Sequence, residues 1–151
     1  MVAQLGLPRS EWEAHPNYPH NVLLLGSHRN FRAMSRQLVA HAEASVGASS
    51  ILSNFSWWKS AMRSHEHYEE AKLYPYLQRR WGLDCELLVA GHEALTIADA
   101  AVRAARGAEL TRALEEHHAT LIEHLEAEEA LVIPALLALS RDEFEDYTRG
   151  R

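Results

Sequence analysis

The sequence predicts an all-α protein, an up-down-up-down four-helix bundle with an N-terminal arm and a short C-terminal helix. Apolar residues recur along the chain at spacings of three and four, which is the period of an amphipathic helix. Runs of β-branched residues and hairpin dipeptides are scarce. Long helical stretches with short loops between them favour an antiparallel bundle over a solenoid, which needs several repeats of one unit.

The boundaries of the predicted helices follow from proline, glycine and capping signals. The segments are, in order, an arm at residues 1–19 and helices at about 20–44, 50–80, 84–105 and 108–133. Pro75 is expected to end or kink the second helix, because proline has no N–H to donate. Gly-Leu-Asp at 82–84 supplies a stop and a cap before the third helix. Pro134 is expected to close the fourth helix, and Ser140 with Glu143 has the form of a capping box before a short tail helix.

Length, composition and charge are those of one ordinary globular domain. A chain of 151 residues corresponds to about one domain, and 47% hydrophobic with 24% charged residues argues against disorder. Fifteen Lys and Arg against 21 Asp and Glu give a net charge of −6. No basic stripe is present, so a nucleic-acid partner is not expected. We predict a single domain over residues 1–151, with the core of the bundle at about 20–135.

Cysteine usage and hydropathy predict a cytoplasmic protein without a membrane partner. Cys85 is the only cysteine, so an intramolecular disulfide is impossible and a reducing compartment is indicated. The N-terminus has neither the basic start nor the apolar stretch of a secretory signal. The longest apolar run, residues 130–139, contains a proline and is too short to span a bilayer.

One polar pattern, which we call the frame, occurs twice in the chain, as "HEHYEEAKLYP" at 65–75 and "HLEAEEALVIP" at 124–134. In each, a His is followed by two consecutive Glu and then by a Pro, at the same spacings. A His and a Glu four residues apart share one face of a helix, and the surrounding apolar residues turn that face inward. Buried imidazoles and carboxylates are costly unless a charge meets them. The second Glu of each frame, Glu70 or Glu129, is off this stripe and is expected to orient a ligand or face solvent.

Each of the two remaining long helices carries one histidine on its inward stripe. The predicted metal ligands are therefore His28, His65, Glu69, His92, His124 and Glu128. Histidine with carboxylate suits Fe, Mn or Zn, and the absence of thiolates argues against a structural zinc knot. Two carboxylates among four imidazoles fit a pair of ions, each Glu bridging both and each ion taking two His. A single His-x-x-x-Glu pair would usually be a surface pair, but the doubled frame favours metal binding.

These residues resemble the hemerythrin-like (HHE cation-binding) domain family over roughly residues 20–135. The resemblance implies a four-helix bundle with a non-haem di-iron centre, bridged by two carboxylates and an oxo or hydroxo group. Iron is then favoured over Mn or Zn. Oxygen-carrying hemerythrins place a second histidine four residues along the third helix, where this chain has Thr96. The missing imidazole leaves an open position and favours redox chemistry over pure reversible carriage.

One end of the predicted core is polar and the other is apolar. Candidate pocket residues at or near the polar end are Arg32, Trp58, Thr96, Asp99 and His117. Leucines fill the opposite end, at Leu24, Leu73, Leu88 and Leu131. In one interpretation Asp99 and His117 are a hydrogen-bonded pair that holds the bundle, with Arg32 reaching outward. In the other, they border an access pocket where a small substrate or proton donor meets the open metal position.

The predicted function is the binding or handling of O₂, nitric oxide or peroxide at a carboxylate-bridged di-iron centre. Two alternatives remain open. One is a di-iron oxidase or oxygenase, an oxidoreductase that activates O₂ on a small organic substrate. The other is iron or oxygen sensing or storage, for which the chain offers no recognisable DNA-binding tail.

Overall fold

A computed structural model describes residues 5–150, so the first four residues of the predicted arm lie outside it. The described residues form helices and turns without any β-strand, and the prediction of an all-α protein is confirmed. The helices are α1 (Leu24–Glu43), α2 (Ala48–Tyr68), α3 (Tyr74–Trp81), α4 (Glu86–Ala104), α5 (Ala108–Leu137) and α6 (Arg141–Thr148). Short 3-10 turns occupy Arg9–Glu11 and His20–Val22, and a π-helical turn, Glu69–Leu73, joins α2 to α3. Within residues 5–150, no helix combines the length and apolarity needed to cross a membrane.

Pro75 marks a change of helix type and not the end of a helix. The chain passes from α2 through the π-helical turn into α3, which ends at Gly82 in the left-handed conformation (φ 69°). In the π-turn the N–H of Tyr74 donates to the carbonyl of Glu69, five residues back. The wider turn inserts one extra residue just before the proline, which has no N–H to donate. Every side chain after Leu73 is therefore rotated relative to a regular α-helix.

The prediction that Pro134 closes the fourth helix is wrong, because α5 continues through it to Leu137. A proline inside a helix costs about 3 kcal/mol. The residues around it are buried, with Ile133 and Leu137 at most 1% exposed and Leu136 at 3%. Each such side chain contributes roughly 1.5–3 kcal/mol on burial, which outweighs the cost of the proline. The capping box of Ser140 and Glu143 is present at the start of α6, as predicted.

Helix α5 is the central helix, packing against both α1 and α4, while α1 also packs against α2. His92 of α4 lies against His124 of α5, and seven residues further along α4 Asp99 meets His117, seven residues earlier on α5. These two helices therefore run antiparallel.

Two apolar clusters fill the interior, and a polar layer separates them along the helices. The first cluster contains Leu73, Leu77, Leu88, Ile133 and Leu136. The second contains Leu38, Phe55, Trp58, Leu95 and Leu121. Leu24 and Leu131, also expected at the apolar end, are partly buried against the first cluster. The six candidate ligands lie between the two clusters along the helices that carry them.

The arm is attached to the C-terminal end of α5 by two asparagines. The Asn17 amide donates to the carbonyls of Leu137 and Leu139, at 3.0 and 2.8 Å. The amide of Asn21, which is fully buried, donates to the carbonyls of Leu136 and Leu139. These carbonyls lie at or just beyond the C-terminal end of α5, where backbone donors become few, so the asparagines supply further donors and hold the arm beside the bundle.

Candidate metal centre

The six side chains predicted from the repeated frame come together in one place. Their ligand atoms form two groups, and the atoms of each group all lie within 4.8 Å of one another. The first group is contributed by His28, His65, Glu69 and Glu128, and the second by Glu69, His92, His124 and Glu128. Glu69 and Glu128 belong to both groups. Five of the six residues are buried, and the side chain of His65 is 12% exposed. Each group could hold a metal ion, and the two groups share two carboxylates.

Four helical segments supply these side chains, and one glycine permits their close approach. His65 and Glu69 stand one turn apart where α2 passes into the π-turn, and His124 and Glu128 do the same on α5. A Cβ atom at Gly91 would lie 2.2 Å from Nδ1 of His124. Any other residue at Gly91 would have to displace the His124 ring or move α4 away from α5.

The separations between ligand atoms fit co-ligands of a common ion. Nε2 of His28 lies 3.0 Å from Oε1 of Glu128, and Nε2 of His65 lies 3.2 Å from Oε2 of Glu69. Nε2 of His92 lies 3.2 Å from Oε1 of Glu69. Two ligands at right angles, each about 2.1 Å from one metal, are about 3.0 Å apart.

Unpartnered polar atoms support the same conclusion. Within residues 5–150, the buried side-chain atoms without a hydrogen-bond partner are Oε1 and Oε2 of Glu69, Nε2 of His124 and Oε1 of Glu128. The short nitrogen–oxygen contacts to these glutamates do not have hydrogen-bond geometry. Buried polar groups are normally satisfied, and an orphaned carboxylate is especially costly. A bound cation would meet all four atoms, so the residues present fit a metal.

The second Glu of each frame orients a histidine on a different helix. Nδ1 of His28 lies 2.7 Å from Oε2 of Glu129, and Nδ1 of His92 lies 3.0 Å from Oε2 of Glu70. An imidazole that donates from Nδ1 leaves the lone pair of Nε2 free to bind an ion. Glu70 and Glu129 therefore fix the tautomer and direction of His92 and His28.

Glu129 is held by the most extensive set of charged partners near the centre. It is fully buried and accepts two hydrogen bonds from Arg32, at 2.8 and 2.9 Å, and one from Arg9 at 2.8 Å. Burial alone would raise the pKa of Glu129, but His28, Arg32 and Arg9 hold it at about 2. The carboxylate therefore stays charged, and it connects the N-terminal arm to a candidate ligand. The sequence offered no signal for this contact, because Arg9 and Glu129 are 120 residues apart.

Tyr74 is a residue of the centre that the sequence did not predict. Its hydroxyl donates to Oε2 of Glu128 and lies 3.4 Å from Nε2 of His92. Burial and the neighbouring charge of Glu128 raise the pKa of Tyr74, so its hydroxyl keeps the proton. The helical period assumed for the sequence placed Tyr74 off the inward stripe. The π-turn adds one residue and brings it inward, and the proline immediately after it was the available signal.

Burial and contacts with neighbouring charged groups shift the pKa values of the candidate ligands. Burial would lower the pKa of His28, but Glu128, Glu129 and Glu69 raise it to about 10. Burial lowers the pKa of His124 to about 4, and the neighbouring His92 adds to the effect. His124 is therefore neutral at pH 7, which is the form that binds metals.

The two shared glutamates differ in their titration. Burial, together with contact to Glu69, raises the pKa of Glu128 to about 7. The pKa of Glu69 is held below its usual range by His28, His65 and His92, although burial opposes this. A cation bound between Glu69 and Glu128 would favour the ionised form of Glu128 and so lower its pKa.

Asp99 and His117 form the hydrogen bond that the first interpretation of the polar end describes. Nε2 of His117 lies 2.7 Å from Oδ1 of Asp99, and both residues are buried. The rings of Phe55 and Trp58 pack edge-on against His117, at centroid distances of 5.2 and 4.9 Å. The indole N–H of Trp58 donates to the carbonyl of Phe31. The pair is thus surrounded by aromatic packing.

Arg32 and Thr96, the other pocket candidates, lie at the level of the centre. Arg32 binds Glu129, and the Thr96 hydroxyl donates to the backbone carbonyl of His92 at 3.1 Å. Thr96 also lines a cavity of about 480 Å³ between α2 and α4, with Glu66, Glu70 and His92.

A second cavity, of about 300 Å³, reaches His65 from the apolar end of the core. Its lining includes Leu23, Leu24, Leu73, Tyr68, Phe144 and Tyr147. Openings towards the candidate ligands are therefore found beside His92 and beside the leucines of the apolar end.

Comparison with known proteins yields one family. The model of the hemerythrin HHE cation-binding domain matches residues 21–136 of this chain. That span contains all six candidate ligands and both copies of the frame. Comparisons with curated proteins and with solved structures give no match.

Proposed function

Because the chain belongs to the hemerythrin HHE cation-binding family, we propose that its six candidate ligands hold a pair of iron ions. Glu69 and Glu128 would bridge the pair, with His28 and His65 on one ion and His92 and His124 on the other. The protein would bind or handle O₂, nitric oxide or peroxide at this centre. Iron, when bound, would supply the change of oxidation state that such ligands require.

The unpartnered oxygens of the shared glutamates carry the proposal. Both oxygens of Glu69 and one of Glu128 are buried without a hydrogen-bond partner among the described residues, between imidazoles from four helical segments. A bridging carboxylate uses one oxygen for each ion, so Glu69 has the free atoms that a bridge needs. Imidazoles and carboxylates without thiolates suit Fe, Mn or Zn, and the family resemblance favours iron among these.

The chain's own side chains would prepare the centre for a small ligand. Glu129 and Glu70 hold His28 and His92 with Nε2 turned to the shared volume. The Tyr74 hydroxyl keeps its proton and donates a hydrogen bond to Glu128. This hydrogen bond orients the Glu128 carboxylate towards the shared volume.

The lining of the cavity at His65 supports the proposal that the ligand is a small uncharged molecule such as a diatomic gas. Leucine and phenylalanine side chains make up much of its wall, and His65 is the most exposed of the four histidines. Apolar walls admit small uncharged molecules and exclude hydrated ions. The volume of about 300 Å³ also lies at the lower end of the range for organic ligands. An oxidase or oxygenase acting on a small organic substrate is therefore our second candidate.

We also propose the finer fold and the location that the sequence suggested. The four long helical stretches would succeed one another up, down, up and down, as the antiparallel contacts of α4 with α5 support. The protein would work in the cytoplasm, where its single cysteine stays reduced.

Elemental analysis with visible spectroscopy tests the proposal. Protein produced with abundant iron should contain about two irons per chain, as its donor set favours, and its visible spectrum should change when O₂ is admitted. A content of one zinc per chain, or of no metal, would contradict the di-iron centre. Oxygen uptake that depends on an added organic substrate would favour the second candidate over the first.

A further inference from the structure

A groove lined by arginines lies between the N-terminal arm and α1, on the side of Glu129 that faces away from the ligands. It has a volume of about 490 Å³. Its charged residues are Arg9, Arg29, Arg32, Arg36, Glu13 and Glu129. The groove thus holds an excess of two positive charges, although the whole chain carries −6.

Helix α1 concentrates this charge on one of its faces. Arg29, Arg32 and Arg36 succeed one another at spacings of three and four, so they are neighbours on the helix surface. Like charges at these spacings destabilise a helix. The arm brings a fourth guanidinium, that of Arg9, to the same groove from residues far away in the chain. This convergence is what an anionic ligand requires.

The protein satisfies only part of this charge. Glu129 accepts from Arg9 through one nitrogen and from Arg32 through two, and its other contact is His28. Arg29 and Arg36 form no salt bridge and no side-chain hydrogen bond with residues 5–150, and both are exposed. A guanidinium carries about five N–H donors, so Arg9 and Arg32 also keep donors beyond those that Glu129 uses.

We propose that this groove binds a small molecule through a doubly charged oxyanion, of which phosphate is the simplest example. Planar guanidinium groups bind phosphate oxygens through paired, charge-assisted hydrogen bonds. Arg29 and Arg36 would supply the free donors. Glu129 would hold Arg9 and Arg32 in fixed positions beside them. The groove is larger than a phosphate ion, so the oxyanion is either free or one group of a larger organic molecule.

Isothermal titration calorimetry at constant ionic strength tests the proposal on the full chain with its native metal. The probes are inorganic phosphate and phenyl phosphate, and chloride sets the ionic strength. The test variant is Arg29→Gln with Arg36→Gln, which removes two exposed groups and no contact seen in the structure. Because the variant removes charge-assisted hydrogen bonds to the anion, affinity should fall at least ~10-fold.

The matched control is Arg79→Gln with Arg112→Gln, which changes the net charge equally at positions outside the groove. It should bind both probes as the unchanged protein does. Tighter binding of phenyl phosphate would identify an organic phosphate as the natural source, and equal binding would identify the free ion. Absence of binding to the unchanged protein would overturn the proposal. An equal loss in both double variants, or no loss in the Arg29 and Arg36 variant, would do so too, because the anion would then bind elsewhere, the metal included.

Discussion

The two copies of the frame, residues 65–75 and 124–134, share their first His, their two consecutive Glu and their Pro, yet they fold differently beyond the first of those Glu. The first passes through a π-turn before Pro75, whereas the second continues as one α-helix through Pro134. Tyr74 is consequently turned to the centre, while its counterpart Ile133 is buried in the apolar cluster. The spacing of His and first Glu spans a single helical turn, so it is fixed locally in both copies. The conformation of the residues beyond that turn depends on the segments packed around them.

The second glutamates show the same divergence. The side chain of Glu70 is 42% exposed and, in the part of the chain that the structure describes, bonds to His92 alone, whereas Glu129 is buried and bonds to His28, Arg32 and Arg9. One position of the frame thus carries a surface carboxylate in one copy and the centre of an ion cluster in the other. Substitutions at matched positions can separate the properties that the copies share from those that they do not.

The largest effect is expected at the first glutamates, where the two copies should behave alike. Glu69→Ala and Glu128→Ala each remove a shared carboxylate and should each lose at least one ion. Glu69→Ala should be the more severe, because neither oxygen of Glu69 has a hydrogen-bond partner among residues 5–150, while Glu128 also accepts from Tyr74. Metal content per chain measures the effect.

The control for both is Glu126→Ala, an exposed glutamate of α5. It should keep the metal content of the unchanged protein. If Glu69→Ala and Glu128→Ala retained full metal as well, neither glutamate would be a ligand, and the proposed pair of ions would be untenable.

Substitution of the second glutamate should affect the free energy of unfolding differently in the two copies. Both Glu70→Ala and Glu129→Ala should keep most of their metal when it is abundant, with affinity lowered about 10–100-fold by loss of an orienting partner. Glu129→Ala should in addition lower the free energy of unfolding by about 3 kcal/mol. This is the lower end of the range for breaking a buried ion pair, since its arginine partners are partly exposed. Glu70→Ala should change it by about 0.5 kcal/mol or less.

Urea unfolding of the metal-free variants measures this difference, and competition with a chelator measures the metal affinity. Equal stability of the two variants would show that the Arg9 and Arg32 contacts add nothing to Glu129. A total loss of metal in either would mean that the second glutamate is itself a ligand, and that the helix phase assumed for the sequence is wrong.

The parts of the centre that the sequence could predict are those determined within one helical turn. His65 with Glu69 and His124 with Glu128 follow from a spacing of four, and His28 and His92 follow from the inward stripes of their helices. Tyr74 could not be placed, because a π-turn changes the helical phase. The contact of Arg9 with Glu129 joins residues 120 positions apart, and no local pattern encodes it. The continuation of α5 through Pro134 likewise depends on burial supplied by other segments.

The smallest effect on metal binding is expected at Tyr74, the residue that the first copy has and the second lacks. Tyr74→Phe removes only the hydroxyl that donates to Glu128, so the fold and the metal content should be kept. The free energy of unfolding should fall by about 1 kcal/mol, the usual contribution of one hydrogen bond. Because the freed oxygen of Glu128 changes its orientation and basicity, the visible spectrum of the iron-loaded protein should shift. Tyr76→Phe is the matched control, since that ring packs against Tyr147 and its hydroxyl makes no hydrogen bond within residues 5–150, and its spectrum should equal that of the unchanged protein. If Tyr74→Phe left the spectrum unaltered as well, the hydroxyl would not act on the centre, and the π-turn would serve only to accommodate Pro75.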